Sequence, residues 1–210
     1  MDTVYIVDDD ASFARGIARL VEAAGWRPRV FASADAFLGE RHGRETAACA
    51  VLDVRMPGMK GPELQRAMVE AGIDFPVIFL TGHGDVATSV EAMKHGAIDF
   101  LEKPVPAQVL VAAIRSALVR HAEARARERE RRTLEERIAR LSPREREVMG
   151  HVIAGRLNKQ IAADLGIAEK TVKAHRGKVM EKMEAGSIAA LVDLCRAAGI
   201  APQDAQGLPR

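Results

Sequence analysis

Short apolar runs punctuate the first 120 residues at 3–7, 27–31, 49–53, 76–80 and 98–101. Helical patterns fill the gaps at 11–24, 33–39, 61–72, 85–95 and 105–120. Runs this short are too brief for buried helices and are bounded by turn residues, so they read as strands. Alternating β–α units of this size predict a doubly wound parallel sheet, because each helix carries the chain back so that the next strand runs parallel. Gly25, Gly72 and Gly96 each close a helical pattern, where a left-handed residue ends a helix. Pro76 precedes the fourth run, where a missing N–H costs little.

Four of the five runs end in polar groups. Asp8, Asp9 and Asp10 follow Val4-Tyr-Ile-Val7, and Asp53 closes Cys49-Ala-Val-Leu-Asp53. Thr81 follows Val77-Ile-Phe-Leu80, and Lys103 follows Ile98-Asp-Phe-Leu101-Glu102. Open parallel sheets carry their working groups at the carboxyl ends of strands. The acidic cluster, Asp53, Thr81 and Lys103 are therefore expected to meet in one crevice. Carboxylates so close repel one another unless a hard cation joins them. Mg²⁺ suits Asp9 and Asp53, because it keeps several waters and takes few carboxylates. A carboxylate can attack a phosphoryl donor and form an acyl phosphate. Lys103 and the cation would balance the charge on the phosphoryl oxygens, and Thr81 could donate to one of them.

Composition narrows the class. The chain has 210 residues, 48% hydrophobic and 29% charged, which supports globular domains rather than disorder. Residues 1–120 hold 13 Lys and Arg against 16 Asp and Glu, net −3. Residues 121–141 carry net +2 and residues 142–210 net +3. An acidic front and a basic back point to nucleic acid at the C-terminal end. Cys49 and Cys195 lie inside apolar patterns and read as small buried hydrophobes rather than a disulfide or metal pair. No signal layout and no long uncharged apolar stretch is present, so a reduced, cytoplasmic protein without membrane contact is expected.

Residues 121–140 are mostly Ala, Glu and Arg without Gly or Pro, a solvated linking helix with a coiled coil as the alternative. Ser142, Pro143 and Glu145 then spell a capping box with proline at the first helical position. Helical segments follow at 143–154, 158–165, 169–183 and 187–198, punctuated by Gly155, Gly166, Gly186 and Gly199. Ile161, Leu165, Ile167 and Val172 would form a hydrophobic corner around a tight turn at Gly166. That is a helix-turn-helix layout, whose second helix enters the major groove of DNA. This helix carries Lys170, Lys173, His175, Arg176, Lys178 and Lys182, with Val172, Val179 and Met183 on its buried side. The tail, 200–210, is expected to fray.

Residues 1–120 resemble the receiver domain of two-component response regulators, through VYIVDDD, VLDVRMPGMKG, LTGHGD and DFLEKP. LTGHGD with VEAMKHGAIDFLEKP is similar to the FixJ branch. The resemblance implies a CheY-like five-stranded sheet of order 2-1-3-4-5. It implies Asp53 as phosphoacceptor, and Asp8, Asp9, Asp53 and the Arg55 carbonyl on Mg²⁺. It also implies Thr81 and Phe100 as the switch pair and Lys103 as the phosphate-contacting lysine. With Phe rather than Tyr at position 100, a switch there is a matter of ring packing alone.

Residues 141–199 resemble the LuxR/FixJ-type helix-turn-helix domain, through LSPREREVM and GRLNKQIAADLGIAEKTVKAHRGKVMEKM. The resemblance implies base or groove contacts from Lys170, Lys173, Ala174 and Gly177, and phosphate contacts from Thr171, His175, Arg176 and Lys178. Ala168 stands where relatives place a Ser or Thr N-cap, a loss of about 1 kcal/mol. Gly177 stands where relatives often carry a longer base-reading side chain. The expected plan is a receiver over 1–120, a helical linker over 121–141, a DNA-binding domain over 142–199 and a flexible tail over 200–210. The implied function is a response regulator, phosphorylated by a sensor histidine kinase, that dimerises on promoter DNA to control transcription. RNA polymerase is a further implied partner. A phospho-independent DNA-binding regulator with a vestigial receiver is the rival, and it would lack an acidic-pocket residue or Lys103. An aspartyl-phosphate enzyme would need a second carboxylate just after the nucleophile, where Val54 and Arg55 stand.

Overall fold

A computed structural model describes residues 1–43, 46–82 and 98–200. The expected helix 85–95 and Gly96 lie outside the described residues. The chain forms two compact units, Met1–Ala126 and Arg127–Arg210.

The first unit is a five-stranded parallel sheet of order β2-β1-β3-β4-β5. The strands are β1 (Thr3–Val7), β2 (Arg27–Phe31), β3 (Ala48–Asp53), β4 (Val77–Thr81) and β5 (Asp99–Glu102). Helices α1 (Ala11–Ala23), α2 (Ala34–Leu38) and α3 (Gly61–Glu70) follow the first three strands, and α4 (Ala107–Ala139) follows β5. The strand order matches the receiver expectation. The last two strands lie one residue later than the runs suggested, so Thr81 closes β4 instead of following it.

Both faces of the sheet are covered, as a parallel sheet requires. Alternation along β1 divides the core: Tyr5 and Val7 join Phe37, Leu52, Leu64, Met68 and Phe79 on one face. Val4 and Ile6 join Ile17, Val21, Val51, Ile78, Leu110 and Ile114 on the other. Gly25 and Gly72 hold φ of +86° and +68°, the left-handed residues expected after α1 and α3. Cys49 is buried and unpaired, and burial raises its thiol pKa beyond the range of ordinary titration.

The apolar stripe of α4 ends in a polar residue with a structural task. His121 continues the spacing of Ile114 and Leu118 and is buried. Its Nδ1 accepts the Ala48 N–H at 2.8 Å, which ties α4 to the start of β3. One turn on, the Arg125 guanidinium donates to the Thr46 carbonyl. Burial holds the His121 imidazole below its ordinary pKa, with Asp74 pulling the other way and Arg125 adding to the depression. The Ala48 N–H also needs the unprotonated ring nitrogen. Since the folded pKa is the lower one, the unfolded chain binds the proton first on acidification. Stability from this group is thus present above its ordinary pKa of about 6.5 and lost as pH falls from there through the lower folded pKa. Burial depresses His42 in the same direction, so the two losses add. Urea unfolding followed through the single Trp26 should show a lower midpoint at about pH 5.5 than at about pH 7.5. His121→Gln should make that dependence shallower.

The second unit packs the end of α4 with α5 (Pro143–Ile153), α6 (Asn158–Leu165), α7 (Glu169–Lys182) and α8 (Ile188–Ala197). Its core gathers Leu134, Leu141, Val148, Met149, Ile161, Val172, Val179, Met183 and Leu191. The middle of α4, from 122 to 133, is mostly exposed, as its Ala-Glu-Arg composition requires. There Arg131 and Arg132 pair with Glu128, and Arg131 also with Glu135. The capping box at α5 forms as read: Ser142 Oγ accepts the Glu145 N–H at 3.2 Å, and Glu145 Oε2 accepts the Ser142 N–H at 2.8 Å. The turn after α7 uses a non-glycine residue. Glu184, not Gly186, takes the left-handed conformation, at φ +51°. Its backbone N–H caps α7 on the Glu181 carbonyl, and its side chain pairs with Arg137. That anchorage offsets the strain a non-glycine residue carries there.

Candidate functional site

The polar strand ends do converge, around one ammonium. Lys103 Nζ lies 2.7 Å from Asp8 Oδ2 and 2.8 Å from Asp53 Oδ1. The backbone fixes the remaining carboxylate oxygens. The Asp10 N–H donates to Asp8 Oδ1 at 2.9 Å, and the Arg55 N–H donates to Asp53 Oδ2 at 3.0 Å. Asp8, Asp53 and Thr81 are buried, while a fifth of the Lys103 side chain reaches solvent. The Lys103 N–H donates to the Thr81 carbonyl at 2.7 Å, which carries the β4–β5 pairing one residue beyond β5 and aims Lys103 at the crevice.

The Asp8–Lys103 pair does not shift symmetrically. Burial pushes the Asp8 carboxyl above its usual range, more than the hydrogen bond from Lys103 brings it down, and the Asp53 charge adds to the rise. Burial alone would depress the Lys103 ammonium, but hydrogen bonds and charge from Asp53 and Asp8 outweigh it and hold the pKa above its ordinary value. Two carboxylates facing one ammonium leave a net negative crevice, which favours a cation.

Other expected members lie differently. Asp10 caps α1, its Oδ1 accepting the Ser12 and Phe13 N–H groups at 2.8 and 3.1 Å, so its carboxylate serves the helix rather than the crevice. Asp9 is exposed and makes none of the contacts that join Asp8, Asp53 and Lys103. Among the described residues no three carboxylate, imidazole or thiol groups gather as a ready-made metal site. Of the expected set of Asp8, Asp9 and Asp53, Lys103 bridges Asp8 and Asp53, and Asp9 stands outside these contacts. The Phe100 ring is half-buried, 6.0 Å from that of Phe79 and tilted by 47°. The loop after β3 returns closely: a Cβ on Gly61 would stand 2.5 Å from the Asp53 carbonyl oxygen.

In the second unit α6 and α7 meet at Gly166, which holds φ +63°. Ile161 and Val172 are buried in the corner, and Leu165 and Ile167 pack against it. Lys170, Thr171, Lys173, Ala174, Gly177 and Lys178 are exposed along α7. His175 and Arg176 are half-buried, and Arg176 donates to Asn158 Oδ1 of α6. Lys182 donates to Glu145 Oε2 at 2.6 Å and to the Arg140 carbonyl at 3.1 Å, so this cation binds α7 to α5. Ala168 leaves α7 without a side-chain cap, as read from the sequence. A Cβ on Gly177 would meet nothing within 4 Å, so the glycine leaves that part of the surface open.

Comparisons with known proteins agree with both halves. The response regulator receiver domain family matches residues 4–115, and the luxR family of bacterial regulatory proteins matches residues 139–195. The chain is similar to the transcriptional regulatory protein FixJ of Azorhizobium caulinodans, 44% identical over 96% of this chain and 95% of the relative. It is also similar to nodulation protein W of Bradyrhizobium diazoefficiens, 42% identical over 94% of this chain and 86% of that one. Among solved structures, the response regulator StyR is 44% identical with a TM-score of 0.88, covering 93% of this chain and 98% of StyR. Full-length FixJ from B. japonicum is 42% identical with a TM-score of 0.56, covering 95% of this chain and 98% of FixJ. The chain belongs to the FixJ-like two-component response regulators, transcriptional regulators that join a receiver domain to a LuxR-type DNA-binding domain.

Proposed function

We propose that a sensor histidine kinase phosphorylates Asp53 and that the modified protein dimerises and binds promoter DNA through α7, most readily as an activator in contact with RNA polymerase. The observation that carries this reading is the Asp8–Lys103–Asp53 cluster at the carboxyl ends of β1 and β3 and just beyond β5. It retains each group that a vestigial receiver would have lost. Asp53 is the phosphoacceptor, positioned by the Arg55 N–H. Asp8, Asp9 and Asp53, with the Arg55 carbonyl, would hold Mg²⁺; hard carboxylate oxygens in a net negative crevice suit that ion. Bound there, Mg²⁺ would neutralise charge on the transferring phosphoryl group. Lys103 would then contact one phosphoryl oxygen, and Thr81 and Phe100 would repack. No substrate is turned over in this reading. A protein that meets both a kinase and a promoter works in the cytoplasm, and no described helix is long and apolar enough to cross a membrane.

On DNA, Lys170, Lys173, Ala174 and Gly177 would face base edges, while Thr171, His175, Arg176 and Lys178 would approach phosphates. Because Arg176 is engaged with Asn158, it would reach a phosphate only by giving up or sharing that bond. Selection from a random duplex library tests the reading. Protein treated with acetyl phosphate should enrich paired half-sites about one helical turn apart and sediment as a dimer. Equal enrichment and equal size for Asp53→Asn under the same treatment would contradict it.

A further inference from the structure

Lys103 has a third neighbour. Its Nζ lies 4.0 Å from the centroid of the Phe13 ring. Phe13 sits in the first turn of α1, where its N–H is held by the Asp10 cap, and its ring packs against the core on that side of the sheet. The ammonium thus rests between two carboxylate oxygens and an aromatic face whose quadrupole attracts cations. We propose that Phe13 is a positioning residue for phosphoryl transfer, holding the Lys103 ammonium where the phosphoryl oxygens arrive. The inference rests on Asp53 as the acceptor.

The reaction itself shows why a third contact matters. With acetyl phosphate as donor, an Asp53 carboxylate oxygen forms a bond to phosphorus, and acetate leaves with the electron pair of the broken P–O bond. Asp53 becomes a mixed anhydride and loses its negative charge, so its ion pair with Lys103 is lost. Two of the three contacts outlast this change, Asp8 and the Phe13 ring. They keep the ammonium close while charge builds on the equatorial oxygens. A ring face does this without competing with the phosphoryl group for hydrogen bonds.

The test is the initial rate of phosphoryl gain from acetyl phosphate with Mg²⁺, read by intact mass, for the parent, Phe13→Leu and Phe13→Tyr. Leu keeps the apolar bulk and removes the aromatic face, while Tyr keeps the face. Thermal unfolding of each variant reports the fold separately. The expected result is a rate about three- to tenfold lower for Leu and within about twofold of the parent for Tyr. A Leu variant as fast as a reactive parent overturns the role of Phe13 alone. A Tyr variant as slow as Leu does the same, because the aromatic face is then not what matters. A parent that gains no phosphoryl group overturns the acceptor assignment and this inference with it.

Discussion

Lys103→Ala is expected to accept phosphate from acetyl phosphate on the order of 10²-fold more slowly than the parent. Lys103 is the cation that touches both Asp8 and Asp53, at 2.7 and 2.8 Å. Removing a prepositioned charge that meets developing negative oxygens typically costs that much, and partial exposure of the ammonium keeps the effect at the lower end of the range. Lys103→Arg should not restore the rate. The guanidinium is a planar fork, whereas this seat fits a compact ammonium between two oxygens and a ring. A time course of intact mass checks both variants. A Lys103→Ala rate within about threefold of the parent would show that the ammonium is not part of the chemistry.

Gly61→Ala is expected to destabilise the first unit by about 1–3 kcal/mol or more. The added Cβ would stand 2.5 Å from the Asp53 carbonyl oxygen, 3.0 Å from Phe79 Cε1 and 3.1 Å from Val54 Cα. Two of these are backbone atoms of β3 and the loop that leaves it, and they cannot swing aside as a flexible side chain would. Relief would come from moving the Asp53 backbone, so acceptance of phosphate should fall together with stability. A lower urea midpoint through Trp26 fluorescence and a slower mass gain are the joint signature. Unchanged stability would mean that the loop after β3 shifts freely.

The fold was legible in the sequence because a parallel sheet buried on both faces imposes short apolar runs ended by polar groups. The sheet order came from the family resemblance, since periodicity alone assigns no order to parallel strands. Strand-end placement also marks Asp8, Asp53, Thr81 and Lys103 in the sequence. Spacing was less able to show which carboxylate does what. Asp8, Asp9 and Asp10 are consecutive, yet one faces Lys103, one is exposed and one caps α1. Their division depends on where β1 ends and α1 begins, a difference of a single residue. By spacing alone Phe13 is one more apolar position on α1, and nothing there announces an ammonium over its ring. His121 gave a partial signal, a polar residue in phase with Ile114 and Leu118, but its partner Ala48 is distant in sequence. In the second unit the glycine pattern located the turn at Gly166. It missed Glu184, where the side chain's partner Arg137 lies on another helix.

The most direct measurement is the intact mass of the full chain after incubation with acetyl phosphate and Mg²⁺, with Asp53→Asn treated in parallel. The expected result is one added phosphoryl group on the parent and none on the variant. A folded parent that gains nothing, or an Asp53→Asn variant that gains as much as the parent, would contradict Asp53 as the acceptor.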